Sequence, residues 1–213
     1  MRNSVREYKR LVYGVGINDA DYKTREVIQV NGKQVTLWTC PFYRKWRDML
    51  TRCYSKKFHQ RQPTYKGCIV SEEWLLFSNF RKWMVEQDWE KKELEKDLLV
   101  YGNKVYSAET CVFVTSQVNV FLTDSGKTRG EWPIGVYWRR YVGKFMAQCR
   151  NPFTGKRENL GYFLCPYEAH RAWLKRKLEL AHQLAAIQSD TRVAQAVIDR
   201  YTNYTQTKGE YNE

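Results

Sequence analysis

The chain has 213 residues, of which 43% are hydrophobic, and carries a formal net charge of +13. That length fits one large domain or two small ones. The excess of positive charge, together with 8 Trp, 15 Tyr and 9 Phe, is typical of nucleic-acid-binding proteins. No run of about 18 apolar residues is present and no amphipathic basic helix lies at a terminus, which argues against a membrane partner. The first ten residues lack an apolar signal core, so we expect a cytoplasmic protein rather than a secreted one.

Six cysteines are spread along the chain without a C-x-x-C pair, and there are three histidines. This spacing argues against a structural zinc site. We therefore expect free thiols, most of them buried, in a reducing compartment. The cysteines are Cys40, Cys53, Cys68, Cys111, Cys149 and Cys165.

The N-terminal part of the chain predicts a strand-like or irregular arm near residues 11–15, followed by a hairpin. Asn31-Gly32 lies between alternating apolar runs, which is the strongest short hairpin signal in the sequence. Strands are therefore predicted at 27–30 and 34–38.

Helical spacing of large apolar residues follows the hairpin. Residues 40–55 predict an amphipathic helix with a basic outer side, and residues 72–87 predict a second helix for which Ser71 is a suitable N-cap. A polar loop at 56–67 and a short strand at 68–70 are expected between them. The basic residues Arg44, Lys45, Lys56, Lys57 and Arg61 are surface charges that can meet phosphates.

The next segment predicts a strand at 97–100, a turn at 101–104, a strand at 110–115 and a short helix at 116–122. Strand, turn, strand and helix is the order of a ββα unit. Read from local chemistry alone, Asp97 is an edge or ion-pair residue, Asn103 serves the turn, and Glu109 caps the segment that follows.

Several spaced motifs in this half of the chain resemble a phage family related to the HNH homing endonucleases. They are Trp46-x-x-Met49-x-x-Arg52-Cys53, Pro63-x-Tyr65-x-Gly67-Cys68-x-Val70, Trp74-x-x-Phe77, Lys96-Asp97, Gly102-Asn103-Lys104, Tyr106-Ser107, Glu109-Thr110-Cys111-x-Phe113-Val114 and Asn119. Active members use a histidine base and one divalent metal ion to hydrolyse a phosphodiester. No histidine lies between His59 and His170.

The resemblance implies positions for the catalytic residues of this chain. The base position falls at Lys96 or Asp97, the middle position at Asn103 or Tyr106, and Glu109 takes a structural or ligand position. Asp97 and Asn119 are the implied metal ligands, and Mg²⁺ is the implied cofactor if the protein is catalytic. A lysine is charged near neutral pH and does not simply replace an imidazole.

Polar residues 123–132, with two glycines, predict a linker. Beyond it, strand-like runs at 135–141, 144–150 and 157–163 are separated by glycine-containing turns. Pro166 followed by Glu168 starts an amphipathic helix, and residues 191–204 predict another.

The alternation of the three strands gives the predicted sheet two different faces. Val136, Trp138, Phe145, Ala147 and Cys149 share an apolar face, which Ala169, Trp173, Leu174 and Leu178 of the helix can cover. Tyr137, Arg139, Tyr141, Lys144, Met146, Gln148 and Arg150 share the opposite face. A ribbon of strands with a basic and aromatic face can enter a DNA major groove.

Residues in this segment resemble the Apetala/ethylene-response-factor DNA-binding domain, in the form found in phage and mobile-element proteins. They are Gly135-Val136, Gly143-Lys144-Phe145, Ala147, Arg150-Asn151-Pro152, Gly155-Lys156, Leu160-Gly161-Tyr162-Phe163 and Glu168-Ala169-His170-Ala172. The resemblance implies major-groove contacts by Tyr137, Arg139, Gln148, Arg150, Arg157 and Asn159, and Lys144 shares their face. Tyr137 replaces an arginine of the family and Asn159 replaces a tryptophan, so either the base sequence read differs from that of the family or the readout is weak.

We therefore expect an α+β protein with two modules. Residues 1–122 form an HNH-like module ending in a degenerate ββα unit, 123–132 a linker, 133–188 a three-stranded antiparallel sheet on a long helix, and 189–213 a C-terminal helix and tail. The expected partner is double-stranded DNA in a phage-infected bacterial host. No small-molecule cofactor is indicated, and the sequence does not identify a protein partner.

Two functions remain open from the sequence. One is a homing-type, Mg²⁺-dependent DNA endonuclease. The other is a catalytically inactive nucleic-acid-binding regulator or counter-defence protein.

Overall fold

A computed structural model of the chain describes residues 11–123 and 131–204. The fold is α+β, and the chain divides into two compact units with the boundary between Phe113 and Val114. The strands are β1 Arg25–Val30, β2 Lys33–Thr39, β3 Ile69–Val70, β4 Glu93–Glu95, β5 Val105–Tyr106, β6 Val112–Val114, β7 Val136–Arg139, β8 Lys144–Arg150 and β9 Arg157–Phe163. The helices are α1 Pro41–Tyr54, α2 Lys56–Arg61, α3 Glu72–Leu75, α4 Phe77–Val85, α5 Ser116–Leu122, α6 Pro166–Ala185 and α7 Thr191–Thr202.

The predicted N-terminal hairpin is confirmed. β1 and β2 pair in antiparallel fashion. Asn31 and Gly32 form the turn with φ of 50° and 71°, the left-handed conformations that a two-residue hairpin turn requires. Most of this hairpin is exposed on both faces.

Helix α1 carries the core of the first unit. Pro41 opens it at a position where the missing N–H costs no hydrogen bond. Trp46 is fully buried and its indole Nε1–H donates to the Trp74 carbonyl oxygen at 2.7 Å. The predicted helix is confirmed. Tyr43 is buried on its core-facing side, whereas Phe42 packs only partly against the core.

Two predicted elements between α1 and β4 are wrong in detail. Residues 56–67 are not all loop, because Ser55 caps α2 by accepting from the Phe58 backbone N–H at 3.2 Å, and a 3-10 turn at Pro63–Tyr65 follows. The predicted helix 72–87 is broken at Leu76. At this point the backbone of Ile17 makes two hydrogen bonds with the chain. Its N–H donates to the Leu75 carbonyl oxygen at 2.8 Å, and its carbonyl oxygen accepts from the Phe77 N–H at 3.0 Å. The Ser71 side chain makes no cap.

The strand predicted at 97–100 is also wrong, because the strand lies earlier, at β4. One carboxylate oxygen of Glu95 accepts from the backbone N–H groups of Lys96 and Asp97, at 2.8 and 3.1 Å. A side chain that captures these donors removes them from a strand ladder. β4 pairs with β6, and β5 pairs with β3 in parallel. The predicted turn and the predicted strand and helix after it are present as residues 101–104, β6 and α5.

The second unit contains a three-stranded antiparallel sheet in the order β7-β8-β9, packed against α6. All three predicted strands, both turns and both helices are present. Val136, Phe145, Ala147 and Ala169 form the buried cluster between sheet and helix. Trp138 departs from the prediction, since it is 47% exposed at the sheet edge, although its ring centroid lies 4.8 Å from that of Phe145.

The residues of α6 that cover the sheet differ in part from the predicted ones. Trp173 packs against Tyr201 and Tyr204 rather than mainly against the sheet, and Leu174 and Leu178 are only half-buried. Lys177 is buried, and its ammonium donates to the Phe121 carbonyl oxygen at 2.6 Å above the Phe121 ring. These contacts tie α5 to the second unit, whereas the sequence assigned α5 to the first module.

The predicted buried thiols are confirmed: five of the six free cysteines are buried and Cys165 is half-buried. Most of the predicted linker, 124–130, and the tail 205–213 lie outside the described residues. Among the described helices, none is long and apolar enough to cross a bilayer.

Candidate nucleic-acid interface

The outer face of the β7-β8-β9 sheet collects the side chains that the sequence predicted for DNA contact. Because successive residues of a strand point to opposite sides, packing of one side against α6 leaves the other side outward. We call this outward side the outer face. It comprises Tyr137, Arg139, Lys144, Met146, Gln148, Arg150, Arg157, Asn159 and Tyr162.

Strand register orders the outer face into four rows. Arg139 pairs with Lys144; Tyr137, Met146 and Tyr162 form the next row; Gln148 pairs with Asn159; and Arg150 pairs with Arg157. The face therefore runs from a basic row through an apolar row and an amide row to a second basic row. Lys144 and Arg150, the β8 members of the two basic rows, are six positions apart, which corresponds to about 20 Å at the usual rise per residue.

No carboxylate lies on the outer face, and its four cations are exposed. None of the four forms an ion pair with a residue that the structure describes. The acid of β9 is on the other side, where Glu158 accepts from Arg176 of α6 at 2.8 Å. The positive potential of the outer face is thus not neutralised within the described part of the unit.

Met146, in the apolar row, was predicted to lie on the face of the sheet opposite to the helix. Met146 is only 3% exposed, because its neighbours on both adjacent strands are tyrosines and the guanidinium Nε of Arg139 lies over its sulfur at 3.4 Å. Tyr162 was not predicted as a site residue. Strict alternation from Arg157 and Asn159 would place Tyr162 on the opposite face, and only the bulge in β9 turns it outward.

The amide row is shaped by that bulge. The register shifts between Ala147 and Gln148, so that Leu160 is the extra residue of β9. Asn159 accepts the Gly161 backbone N–H with its side-chain oxygen at 3.0 Å, and Gly161 has φ of 123°. The bulge therefore orients the Asn159 amide, whose N–H groups are left to donate elsewhere.

The support beneath the sheet is tightly packed. A side chain at Gly135 would place its Cβ 2.1 Å from the Trp173 ring, and φ there is +82°. The neighbouring carbonyl of Ile134 lies 2.8 Å from His170 Nδ1. Helix α6 thus fixes the start of β7, which sets the position of the outer face.

The residues implied by the HNH resemblance lie mostly around β4 in the first unit. Lys96 is 6% exposed, and its ammonium donates to Asp97 Oδ2 at 2.9 Å. Burial alone would lower the pKa of Lys96, but the hydrogen bond and charge of Asp97 outweigh it, and the pKa is raised. A lysine held in its charged form does not have the free amine that a general base needs.

Glu95 completes this acidic and basic cluster. Burial raises the pKa of Glu95, and the nearby Asp97 carboxyl raises it further. Arg52 is also close, since it donates to the Leu94 carbonyl oxygen at 3.1 Å. Two carboxyl groups therefore share a site with two cations.

Asn103 and Glu109 have local roles in the structure. The Asn103 amide donates to the carbonyl oxygens of Lys96 and Val105, at 2.8 and 2.7 Å, and accepts from the Val105 N–H at 3.0 Å. Glu109 is fully exposed, and a hydrogen bond from Ser107 lowers its pKa. Asn103 therefore stabilises the turn, and Glu109 lies at the surface.

The two implied metal ligands belong to different compact units, Asp97 to the first and Asn119 to the second. Within 11–123 and 131–204, no three His, Cys, Asp or Glu side chains are grouped so that they could hold a metal ion. In addition, Lys96 already occupies one oxygen of Asp97.

A second basic surface lies on α2 and the 3-10 turn of the first unit. Lys56, Lys57, Arg61 and Lys66 are exposed there, and residues 49–71 contain no acid. Phe58 and Tyr65 hold the two elements together, with ring centroids 5.5 Å apart. This surface has the charge, but not the ordered rows, of the outer face.

The chain was compared with protein-family models, with curated proteins and with solved structures. No family model matches the chain, and no curated protein or solved structure matches it.

Proposed function

We propose that this protein binds double-stranded DNA through the outer face. The observation that carries the proposal is the arrangement of four exposed cations, three amphipathic or apolar side chains and two amides on one side of a sheet whose other side is covered by α6. Among the described residues, none of the four cations has an ion-pair partner. Phosphates provide most of the affinity in such a complex, and groups between the phosphate contacts read the bases.

The dimensions of the outer face suit a duplex. A major groove is about 12 Å wide and admits a ribbon of strands. The basic rows, about 20 Å apart along β8, extend past the edges of such a groove, where the phosphates lie. The amide and apolar rows then face the bases.

The proposal is tested by equilibrium binding of a labelled duplex to the full chain and to a variant with Arg139, Lys144, Arg150 and Arg157 changed to alanine. Loss of four phosphate contacts is expected to weaken binding at least a hundredfold at moderate salt. Thermal unfolding of both proteins controls for folding. Equal affinity of the two proteins would place DNA binding elsewhere, and no binding by either would reject it.

Phosphodiester hydrolysis is a second function, implied by the HNH resemblance. One observation favours it: Glu95 and Asp97 place two carboxyl groups together, and a cation would relieve their repulsion. The charged Lys96 weighs against it, because a protonated amine cannot act as a general base. We therefore rank it below DNA binding.

Nicking of supercoiled DNA in Mg²⁺ or Mn²⁺ tests hydrolysis. If the β4 cluster is catalytic, Asp97→Ala abolishes nicking, whereas the matched variant Asp88→Ala, which removes another exposed acid paired with a lysine, does not. Nicking that survives Asp97→Ala contradicts the assignment. Absence of nicking by the unmodified chain rejects hydrolysis and leaves the binding proposal intact.

A further inference from the structure

The amide row lies in the interior of the outer face. Gln148 and Asn159 are Cα partners across β8 and β9, with the apolar row on one side and the Arg150–Arg157 row on the other. Along β8, Gln148 is two residues from Arg150 and four from Lys144, or about 7 and 14 Å. If the basic rows hold phosphates, the amides are the polar groups nearest to the base edges.

The hydrogen-bonding state of these amides restricts what they can read. Gln148 makes no side-chain hydrogen bond with any residue in the described ranges, so both its oxygen and its NH₂ are available. The Asn159 oxygen already accepts one hydrogen bond from the Gly161 N–H, whereas the NH₂ group of Asn159 remains to donate. The Gln148 oxygen is therefore the acceptor of this row with no bond among the described residues, and it lies beside several N–H donors.

A carboxamide with both groups free matches adenine. Adenine presents an N7 acceptor beside an N6 donor in the major groove, and glutamine pairs with both. Guanine presents two acceptors at the same edge, which would leave the Gln148 oxygen facing another oxygen. The Asn159 NH₂ can donate to a neighbouring acceptor, such as thymine O4 or a purine N7.

The apolar row fits the partner base. Tyr137, Met146 and Tyr162 form a continuous apolar strip about 7 Å from Gln148 along β8. Thymine is the base that carries a methyl group in the major groove, and apolar side chains recognise it there. The amide row can therefore contact the adenine, and the neighbouring apolar row the thymine methyl group, of A·T base pairs.

We infer that Gln148, oriented beside Asn159 and the Tyr137–Met146–Tyr162 strip, makes the outer face select A·T base pairs in duplex DNA. The inference rests on the proposed DNA binding and adds its base specificity. Specificity comes from the two inner rows, whereas the two basic rows bind any sequence.

Selection from a random duplex pool tests the inference, using the full chain, Gln148→Ala and the control Gln183→Ala, which removes an exposed amide of α6. The unmodified chain and the control are expected to enrich a fixed A·T position. Gln148→Ala is expected to lose that preference, with affinity for the enriched duplex about tenfold lower and affinity for its G·C counterpart little changed.

Base analogues then separate the two halves of the contact. At the selected position, 7-deazaadenine removes the N7 acceptor and deoxyuridine removes the thymine methyl, and each is expected to weaken binding by the unmodified chain. The adenine analogue should have no further effect on Gln148→Ala. Enrichment of G·C alone, or a uniform loss of affinity in Gln148→Ala, would overturn the inference while DNA binding stands; failure to bind any duplex would reject the proposed function itself.

Discussion

Removing the outermost basic row of the sheet should change how strongly DNA binding depends on salt. Arg150 and Arg157 are exposed Cα partners without an ion pair among the described residues. Each cation that contacts a phosphate contributes about −0.9 to the slope of log K against log salt concentration. Four contacts on the outer face give a slope of about −3.6, and the double variant Arg150→Ala/Arg157→Ala should give about −1.8.

These slopes correspond to affinity changes that are easy to measure. Between about 50 and 200 mM salt, the unmodified chain should lose about 150-fold in affinity and the double variant about 12-fold. Fluorescence anisotropy with a labelled duplex across this range gives both slopes. The matched control is Arg171→Ala/Lys175→Ala, which removes the same charge from the exposed side of α6.

The control separates local contact from net charge. If the outer face binds phosphates, the control keeps the slope of the unmodified chain. Equal slopes for all three proteins, or the same reduction in both variants, would show that these arginines make no phosphate contact and would refute the reasoning. Matching thermal unfolding curves would exclude misfolding as the cause.

Two further predictions concern stability. Gly135→Ala should destabilise the protein by about 2–5 kcal/mol, because the new Cβ would collide with the Trp173 ring and the backbone φ is positive. The matched variant Gly143→Ala, with φ of +65° but open space around the new Cβ, should lose about 1–2 kcal/mol. Urea unfolding measures both losses, and equal losses would contradict this prediction. Hydrogen bonds from Arg176 and Asn151 lower the pKa of Glu158, so its stabilising effect is present above its ordinary value of 4.5 and is lost as pH falls through the lowered pKa. Glu158→Gln should therefore be about 1 kcal/mol less stable at neutral pH and should match the unmodified chain in acid, and a difference that is independent of pH would contradict it.

The sequence alone was sufficient to predict those elements that are determined by residues close to one another in the chain. The Asn31-Gly32 turn, the alternating strands β7–β9, and Pro166 at the start of α6 each depend on residues within a few positions of one another. Alternation also predicted the outward side chains of β7 and β8, because the side-chain period of a strand is two whatever its surroundings. The fold class and the outward residues of these two strands were therefore predictable, whereas Arg157 and Asn159 of β9 came from the family resemblance and Tyr162 was missed.

Contacts between distant residues decided the rest. Ile17 breaks the helix at Leu76, and the order of the rows on the outer face depends on a bulge opposite Ala147 and Gln148. Met146 is buried because tyrosines of the two neighbouring strands flank it and the guanidinium group of Arg139 lies over its sulfur. Lys177 can be buried because the carbonyl oxygen of Phe121, 56 positions away, accepts a hydrogen bond from its ammonium group. Local period and turn chemistry are encoded in neighbouring residues, whereas burial and register depend on which distant groups the folded chain brings within hydrogen-bonding and packing distance.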